Sequence, residues 1–339
     1  MSKEVNPYLI DWALTDRCNL KCRHCRGFPE GGELSTSRAL QLIDEIAELS
    51  PGWVIVEGGE PLLRGDIFTL LERMRNKNLV VHFITNAMLL GHKEIDRFNR
   101  LGIKVMISID GASRETYEMV RQGSSFERVI QAARICADAG LLEAINFTII
   151  KNNIREIPAF FDLAKSIGTS KVTLIGLKPC RDYTAELLNP EEYKQAIDLV
   201  CKSAKRTDIE FFFDEPFFWS AVKEWGLNVQ SPSENTGIMV GSIPSCIFGQ
   251  YIFIQTNGDV HPCSFAPLVV GNVKEKSLRA IWDEMLTAPF FKQIRDAWSR
   301  TGFCKNCKYI EDCRGCRSRT VVLTNDWFAS DPCCPIKPE

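Results

Sequence analysis

The run Tyr8-Leu-Ile-Asp-Trp-Ala-Leu-Thr-Asp-Arg-Cys18-Asn-Leu-Lys-Cys22-Arg-His-Cys25 decides the fold. Its first half is an apolar stretch of strand length. Its second half sets three thiols in CxxxCxxC spacing directly behind that strand. Counting 8–14 as the first, strand-like runs recur at 52–57, 79–84, 103–109, 142–150 and 170–177. Amphipathic stretches at 37–49, 66–77, 92–100, 126–139, 154–167 and 190–205 alternate with them. Ser35-Thr36-Ser37 gives a start signal for the first helix, and Gly140 a stop for the fourth. Six strand–helix units in series predict a parallel sheet with helices outside, its strands covered on both faces and therefore continuously rich in Val and Ile.

The expected class is α/β: a partial (β/α)6 barrel of TIM-like type, followed by a small cysteine-rich domain. A closed barrel needs eight units, two more than residues 1–206 offer. Residues 207–245 break the rhythm, with an aromatic run from Phe211 to Phe218 and a Gly-, Ser-, Asn- and Pro-rich stretch at 226–244, and read as a linker or lid. Residues 246–339 form the cysteine module. It opens with a hairpin, Tyr251–Gln255 and Val260–Cys263, turned at Asn257-Gly258.

The 339 residues are 45% hydrophobic and 25% charged, and the net charge is −2, so composition imposes no basic face for nucleic acid. No apolar run is long enough to cross a bilayer, and the start lacks the charged-then-apolar plan of a signal peptide. A cytoplasmic protein is expected. Fourteen cysteines in such a chain point to metal sites rather than disulfides, the more so because three lie at 18–25 and eight between Cys246 and Cys334.

Three thiolates on one short loop suit a [4Fe–4S] cluster with one iron left without a protein ligand, the open position that catalysis at a metal requires. A zinc loop is the alternative. Other polar groups sit at the ends of successive strands, where α/β folds collect ligand-binding side chains. They are Gly58-Gly59-Glu60-Pro61 after the second strand, Thr85-Asn86 after the third, and Ser108-Ile-Asp110-Gly111 at the end of the fourth. The glycines are expected to let a ligand approach the backbone, Glu60 to accept from an amino group, and Ser108 to bond a ribose hydroxyl.

The CxxxCxxC loop, the Gly-Gly-Glu-Pro segment and the strand order over residues 8–206 resemble the radical S-adenosylmethionine (SAM) superfamily. The resemblance implies that Cys18, Cys22 and Cys25 ligate a catalytic [4Fe–4S] cluster whose fourth iron is chelated by SAM. It places Gly59 and Glu60 at the methionyl amino group, Ser108 at the ribose and Arg121 near the SAM carboxylate, with Gly58 and Asp110 among the cofactor-binding residues. His24 takes the position where the family often sets an aromatic against the adenine. The implied chemistry is one-electron cleavage of SAM to methionine and a 5′-deoxyadenosyl radical, which removes hydrogen from the substrate.

Behind it the pattern runs Cys246, Gly258-x4-Cys263, Cys304-x2-Cys307-x5-Cys313-x2-Cys316 and Cys333-Cys334. So many thiols exceed the need of one zinc ion; two zinc ions or two clusters would use them. The order resembles the SPASM domain of radical SAM enzymes, although its central set ends in x2 where many members have x3. The resemblance implies two auxiliary [4Fe–4S] clusters, for three in all: one on Cys246, Cys263 and Cys316, the other on Cys304, Cys307, Cys313 and Cys334. An open iron or Cys333 completes the first. Cys136 and Cys201 are expected in the core, and Cys180 at the rim after the sixth strand. Asp214 and Glu215 either face substrate or begin a turn before Pro216.

The resemblance further implies a peptide, a protein or a large cofactor precursor as substrate, in maturase branches that handle haem-type tetrapyrroles, peptides or tungsten-enzyme cofactors. A one-electron donor such as flavodoxin or ferredoxin is the expected partner, with neither nucleic acid nor membrane. The alternative function is a non-catalytic iron–sulfur carrier or scaffold, which the intact Cys18/Cys22/Cys25 and Gly58–Pro61 motifs disfavour.

Overall fold

The structure is a computed structural model, and it describes residues 5–27, 32–179, 184–229 and 245–337. Elements follow the chain as β1 (Ile10–Ala13), β2 (Lys21–Cys22), α1 (Thr36–Leu49), β3 (Val54–Glu57), α2 (Ile67–Asn76), β4 (Val81–Thr85), α3 (His92–Leu101) and β5 (Lys104–Ser108). Next come α4 (Arg114–Val120), β6 (Arg121–Gln122), α5 (Phe126–Asp138), β7 (Leu142–Ile149), α6 (Ile157–Ile167), β8 (Lys171–Gly176), α7 (Pro190–Thr207), β9 (Glu210–Phe213) and α8 (Phe218–Glu224). The rest is β10 (Ile252–Ile254), β11 (Asp259–His261), β12 (Gly271–Asn272), α9 (Leu278–Thr287), α10 (Pro289–Arg295), α11 (Ile310–Cys313) and α12 (Arg317–Thr324). All six expected strands and all six expected helices are present, in the α/β class read from the sequence.

Two compact units divide the chain. The first holds residues 1–19, 26–106 and 247–295; the second holds 20–25, 107–246 and 296–339, so the division falls inside β5. In the first unit β1 pairs in parallel with β3 and β10, and β3 with β4. The antiparallel hairpin β10–β11 turns through Gly258, whose φ of +91° needs a glycine. Ile10, Val54, Val56 and Phe83 are buried on one face, where Phe83 meets Phe98 of α3. The register sets Asp11, Ile55 and His82 side by side on the opposite face, with Phe253 and His261 continuing the row. Helix α1 presents Ala39, Leu42, Ile43, Ile46 and Leu49 to the core at helical spacing, and the Ser35 hydroxyl caps its start by accepting from the Arg38 N–H.

In the second unit β7, β8 and β9 run parallel. Here the sequence reading needs correction. The stretch read as linker or lid begins with β9, which pairs along β8, and continues into α8, whose Phe218 packs on Phe211 and Phe213. Its aromatic residues are therefore core. Residues 230–244, the polar half of that stretch, lie outside the described residues. Cys136 is fully buried and Cys201 is 5% exposed, as expected of core thiols, and burial pushes both up to about 12. Cys180 lies outside the described residues. Among the described residues, no helix is long and apolar enough to cross a membrane.

Candidate functional site

In the first unit the segment after β3 lies against the stem of the cysteine loop. Gly59 N–H donates to the Thr15 carbonyl at 2.7 Å, and Glu60 N–H to the Arg17 carbonyl at 2.8 Å. A Cβ on Gly58 would meet the Thr15 oxygen at 2.7 Å, and one on Gly59 would collide with the Arg17 carbonyl. Both glycines are required by this approach of chain to chain, so a ligand is not needed to explain them. The Glu60 carboxylate is fully buried and accepts from Leu62 N–H (3.2 Å), Thr85 Oγ1 (2.8 Å) and Asn86 N–H (2.8 Å). Asn86 in turn fixes the start of the loop: its Nδ2 donates to Asn19 Oδ1 at 2.9 Å and points to Cys18 Sγ at 3.9 Å. Buried Arg64 supports the same rim, bonding the Leu14 and Leu34 carbonyls at 2.8 Å each and Asp66 at 2.7 Å.

The second unit contains the rest of the loop. Cys25 N–H bonds the Cys22 carbonyl at 3.2 Å, closing a tight turn, and β2 pairs antiparallel with β6 so that Cys22 stands opposite Arg121. The Arg121 guanidinium reaches Cys22 Sγ at 3.9 Å and Asp110 Oδ2 at 2.6 Å. His24 Nε2 lies 3.2 Å from the same Asp110 oxygen. Four of the expected site residues, Cys22, His24, Asp110 and Arg121, are thus joined through Asp110. That carboxylate also accepts from Thr148 N–H at 2.6 Å, and its backbone carbonyl accepts from Asn153 Nδ2 at 3.1 Å. Burial pushes the Asp110 carboxyl up, but Arg121 and His24 outweigh it and hold it below the ordinary range. Burial lowers His24 against the pull of Asp110. Ser108 is buried at the end of β5.

The C-terminal thiols sort themselves by cavity. A cavity of about 630 Å³ in the second unit is lined by Cys304, Cys307, Cys313 and Cys334, four thiols from two chain segments. Cys316 and Cys333 are equally buried, at 5% and 6% exposed, yet do not line it. Burial pushes Cys333 up to about 11 and Cys334 to about 12, so it favours the neutral thiol unless a metal cation holds the thiolate. This donor set suits a four-thiolate cluster. Among the described residues no three thiol, imidazole or carboxylate groups close in far enough to hold a single ion. A four-iron cube spreads its thiolates wider than one zinc ion at ~2.3 Å from each sulfur does. Cys263 lies in the first unit behind the hairpin, beside the Tyr251 hydroxyl, which accepts from Ser264 N–H at 2.9 Å.

A network absent from the sequence reading braces this module. Arg319, fully buried, donates to Asp331 at 2.9 and 2.6 Å, to both Glu215 oxygens at 3.0 Å and to the Tyr193 hydroxyl at 3.0 Å. Lys178 Nζ donates to Glu215 at 2.9 Å. Glu215 therefore neither faces substrate nor serves only a turn; it is the centre of a buried ion cluster. Chain separations of 104 and 126 residues hide these pairs from local reading. Only the odd presence of charges among aromatics at 214–215 hints at them.

Residues 12–164 match the radical SAM superfamily, and residues 246–317 match an iron–sulfur cluster-binding domain, SPASM. Among curated proteins, the AdoMet-dependent heme synthase of Methanosarcina barkeri is 31% identical, with 98% of this chain and 97% of that protein aligned. A mycofactocin maturase of Mycobacterium ulcerans is 29% identical over 91% of this chain and 82% of its own. Among solved structures, SuiB of Streptococcus suis superposes with a TM-score of 0.77 at 18% identity, covering 97% of this chain and 77% of that one. That likeness is one of fold.

Proposed function

The chain belongs to the radical SAM superfamily and carries a SPASM domain, and from that premise we propose that it completes a haem-type tetrapyrrole by radical chemistry on a macrocyclic precursor. It is a maturase-type radical SAM enzyme, with [4Fe–4S] clusters and SAM as cofactors. The observation carrying the substrate reading is the end-to-end match to a heme synthase, at higher identity and over more of the chain than the match to the mycofactocin maturase. That second match favours a peptide as the other reading.

When bound, the reduced cluster and SAM supply a 5′-deoxyadenosyl radical that takes hydrogen from the substrate. The chain's own part is to place and charge the ligands. Cys18, Cys22 and Cys25 hold the catalytic cluster. Asn86 fixes Cys18, and the Arg121 cation beside Cys22 stabilises negative charge on sulfur. Asp110 keeps both Arg121 and His24 in place. The Gly58–Glu60 segment meets the SAM amino group while the Glu60 carboxylate braces the rim through Thr85 and Asn86. Ser108 faces the ribose. Cys304, Cys307, Cys313 and Cys334 hold one auxiliary cluster; Cys246, Cys263 and Cys316 belong to the other. A core that extends through β9 and α8 and a cysteine module of 246–339 share this labour, and a small ferredoxin-class donor supplies the electrons.

The test is anaerobic incubation of reconstituted protein with SAM, a reductant and either an iron coproporphyrin or a short peptide. Haem formation, with 5′-deoxyadenosine released in step with it, is the expected result. A modified peptide and an unchanged porphyrin would overturn the substrate reading, and no 5′-deoxyadenosine with any substrate would favour the scaffold.

A further inference from the structure

We propose that Cys333 is a thiolate ligand of the auxiliary cluster to which Cys246 and Cys316 belong, so that the neighbouring residues Cys333 and Cys334 serve different clusters. This rests on the three-cluster reading above. The geometry that carries it lies wholly in the second unit. One carboxylate holds both backbones: Asp331 Oδ2 accepts from Cys316 N–H at 2.9 Å, and Asp331 Oδ1 accepts from Cys333 N–H at 3.1 Å. Arg319 clamps the same two oxygens, so this spacing is fixed by a residue with no freedom to move.

The cavity supplies the second observation. Cys334 lines it with Cys304, Cys307 and Cys313, and its four thiols satisfy one cluster. Cys333 is as buried as Cys334 but lies outside that lining. Asp331 stands between the two groups: it lines the cavity and its carbonyl accepts from Cys334 N–H at 3.1 Å, while its carboxylate holds the Cys316 and Cys333 backbones. The charged surroundings of Cys333 agree: Asp331 is common to all three thiols, but Arg319 and Lys178 act on both Cys316 and Cys333, whereas Cys304 and Cys307 act on Cys334. Cys246 is also a neighbour of Cys316, and its N–H bonds the Cys313 carbonyl at 3.1 Å. Cys246, Cys316 and Cys333 are thus three thiols of one unit available to this cluster.

Each ligand bond replaces a thiol proton by iron, with no change of oxidation state, so the proposal needs no further reactant. The experiment uses full-length, anaerobically reconstituted protein and compares Cys316→Ala, Cys333→Ala, Cys333→Ser and Cys334→Ala by iron and sulfide analysis, low-temperature EPR of the reduced state and redox titration. Wild type is expected to hold about twelve irons in three signals. Cys333→Ala is expected to remove or shift the same signal as Cys316→Ala, and Cys334→Ala a different one. Cys333→Ser, which retains an oxygen ligand, should keep the iron and lower that cluster's potential. Should Cys333→Ala disturb iron generally, the serine variant still decides, because only a ligand's replacement moves one signal with full iron content. Twelve irons with the Cys316 signal unchanged in both Cys333 variants, or a shift shared with Cys334→Ala, would overturn the assignment alone. Wild type with about four irons would overturn the three-cluster reading itself and the assignment with it.

Discussion

The two groups of cysteines are built in opposite ways. In the amino-terminal loop Cys18 and Cys25 are exposed and Cys22 is partly so, held by a few polar contacts from Asn86 and Arg121. In the carboxyl-terminal module Cys304, Cys313, Cys316, Cys333 and Cys334 are each under 9% exposed and lie near a buried ion network, while Cys246, Cys263 and Cys307 are half-buried. Accessible thiols suit a cluster whose open corner must admit a cofactor. Buried ones suit clusters that only pass electrons, with solvent excluded and ligand geometry fixed. Loop and module thus separate exchange from rigidity, and each variant below presses on one side of that contrast.

The largest stability effect is expected in the module. Arg319→Met leaves the Asp331 carboxylate buried without its paired cation and Glu215 with Lys178 alone, costing about 3–5 kcal/mol, read as a fall in the thermal midpoint of the anaerobic protein together with loss of auxiliary-cluster EPR intensity. An unchanged midpoint would mean that the network does not brace the module. In the loop the penalty falls on the metal rather than the fold. Asn86→Ala is expected to weaken retention of the catalytic cluster about 10- to 100-fold, measured by iron loss to a chelator, with the auxiliary signals intact; equal loss from all clusters would contradict the separation.

A smaller effect tests the row of side chains on β1. Burial, opposed by Arg26, pushes Asp11 up to about 7. The folded state therefore holds that proton more tightly than the unfolded chain, whose carboxyl titrates near 4. The stability this brings is present at acid pH and is lost as pH rises through about 7. Asp11→Asn should flatten the dependence of the thermal midpoint on pH over this range and exceed wild type at pH 8. A parallel, undisplaced profile would show that Asp11 is ordinary. The smallest change is expected from Cys136→Ala, which trims a core thiol for about 1 kcal/mol and leaves iron content and cofactor cleavage as they are.

Much of this contrast was legible in the sequence, for stated reasons. The strands and helices announced themselves because each carries its own apolar period and its own caps, as Ser35 and Gly140 do. The CxxxCxxC loop was legible because its three thiols fall within a single stretch of eight residues. Strand β9 was missed because Phe211–Phe213 runs straight into Asp214-Glu215-Pro216, and only the packing of Phe213 on Phe218 shows it to be core. The close approach of glycines 58 and 59 to the Thr15 and Arg17 carbonyls was out of reach, since sequence spacing does not place those carbonyls there. Lys178, Glu215, Arg319 and Asp331 were beyond local reading, since their meeting depends on the assembled second unit.

The central claim is that the amino-terminal loop holds the cluster that cleaves SAM while the carboxyl-terminal thiols hold two others. Its most direct test is the triple variant Cys18→Ala, Cys22→Ala, Cys25→Ala, purified anaerobically and assayed for iron, sulfide and 5′-deoxyadenosine. The expected result is about eight irons per chain, both auxiliary EPR signals retained and no 5′-deoxyadenosine. Full iron content with continued release of 5′-deoxyadenosine would contradict it.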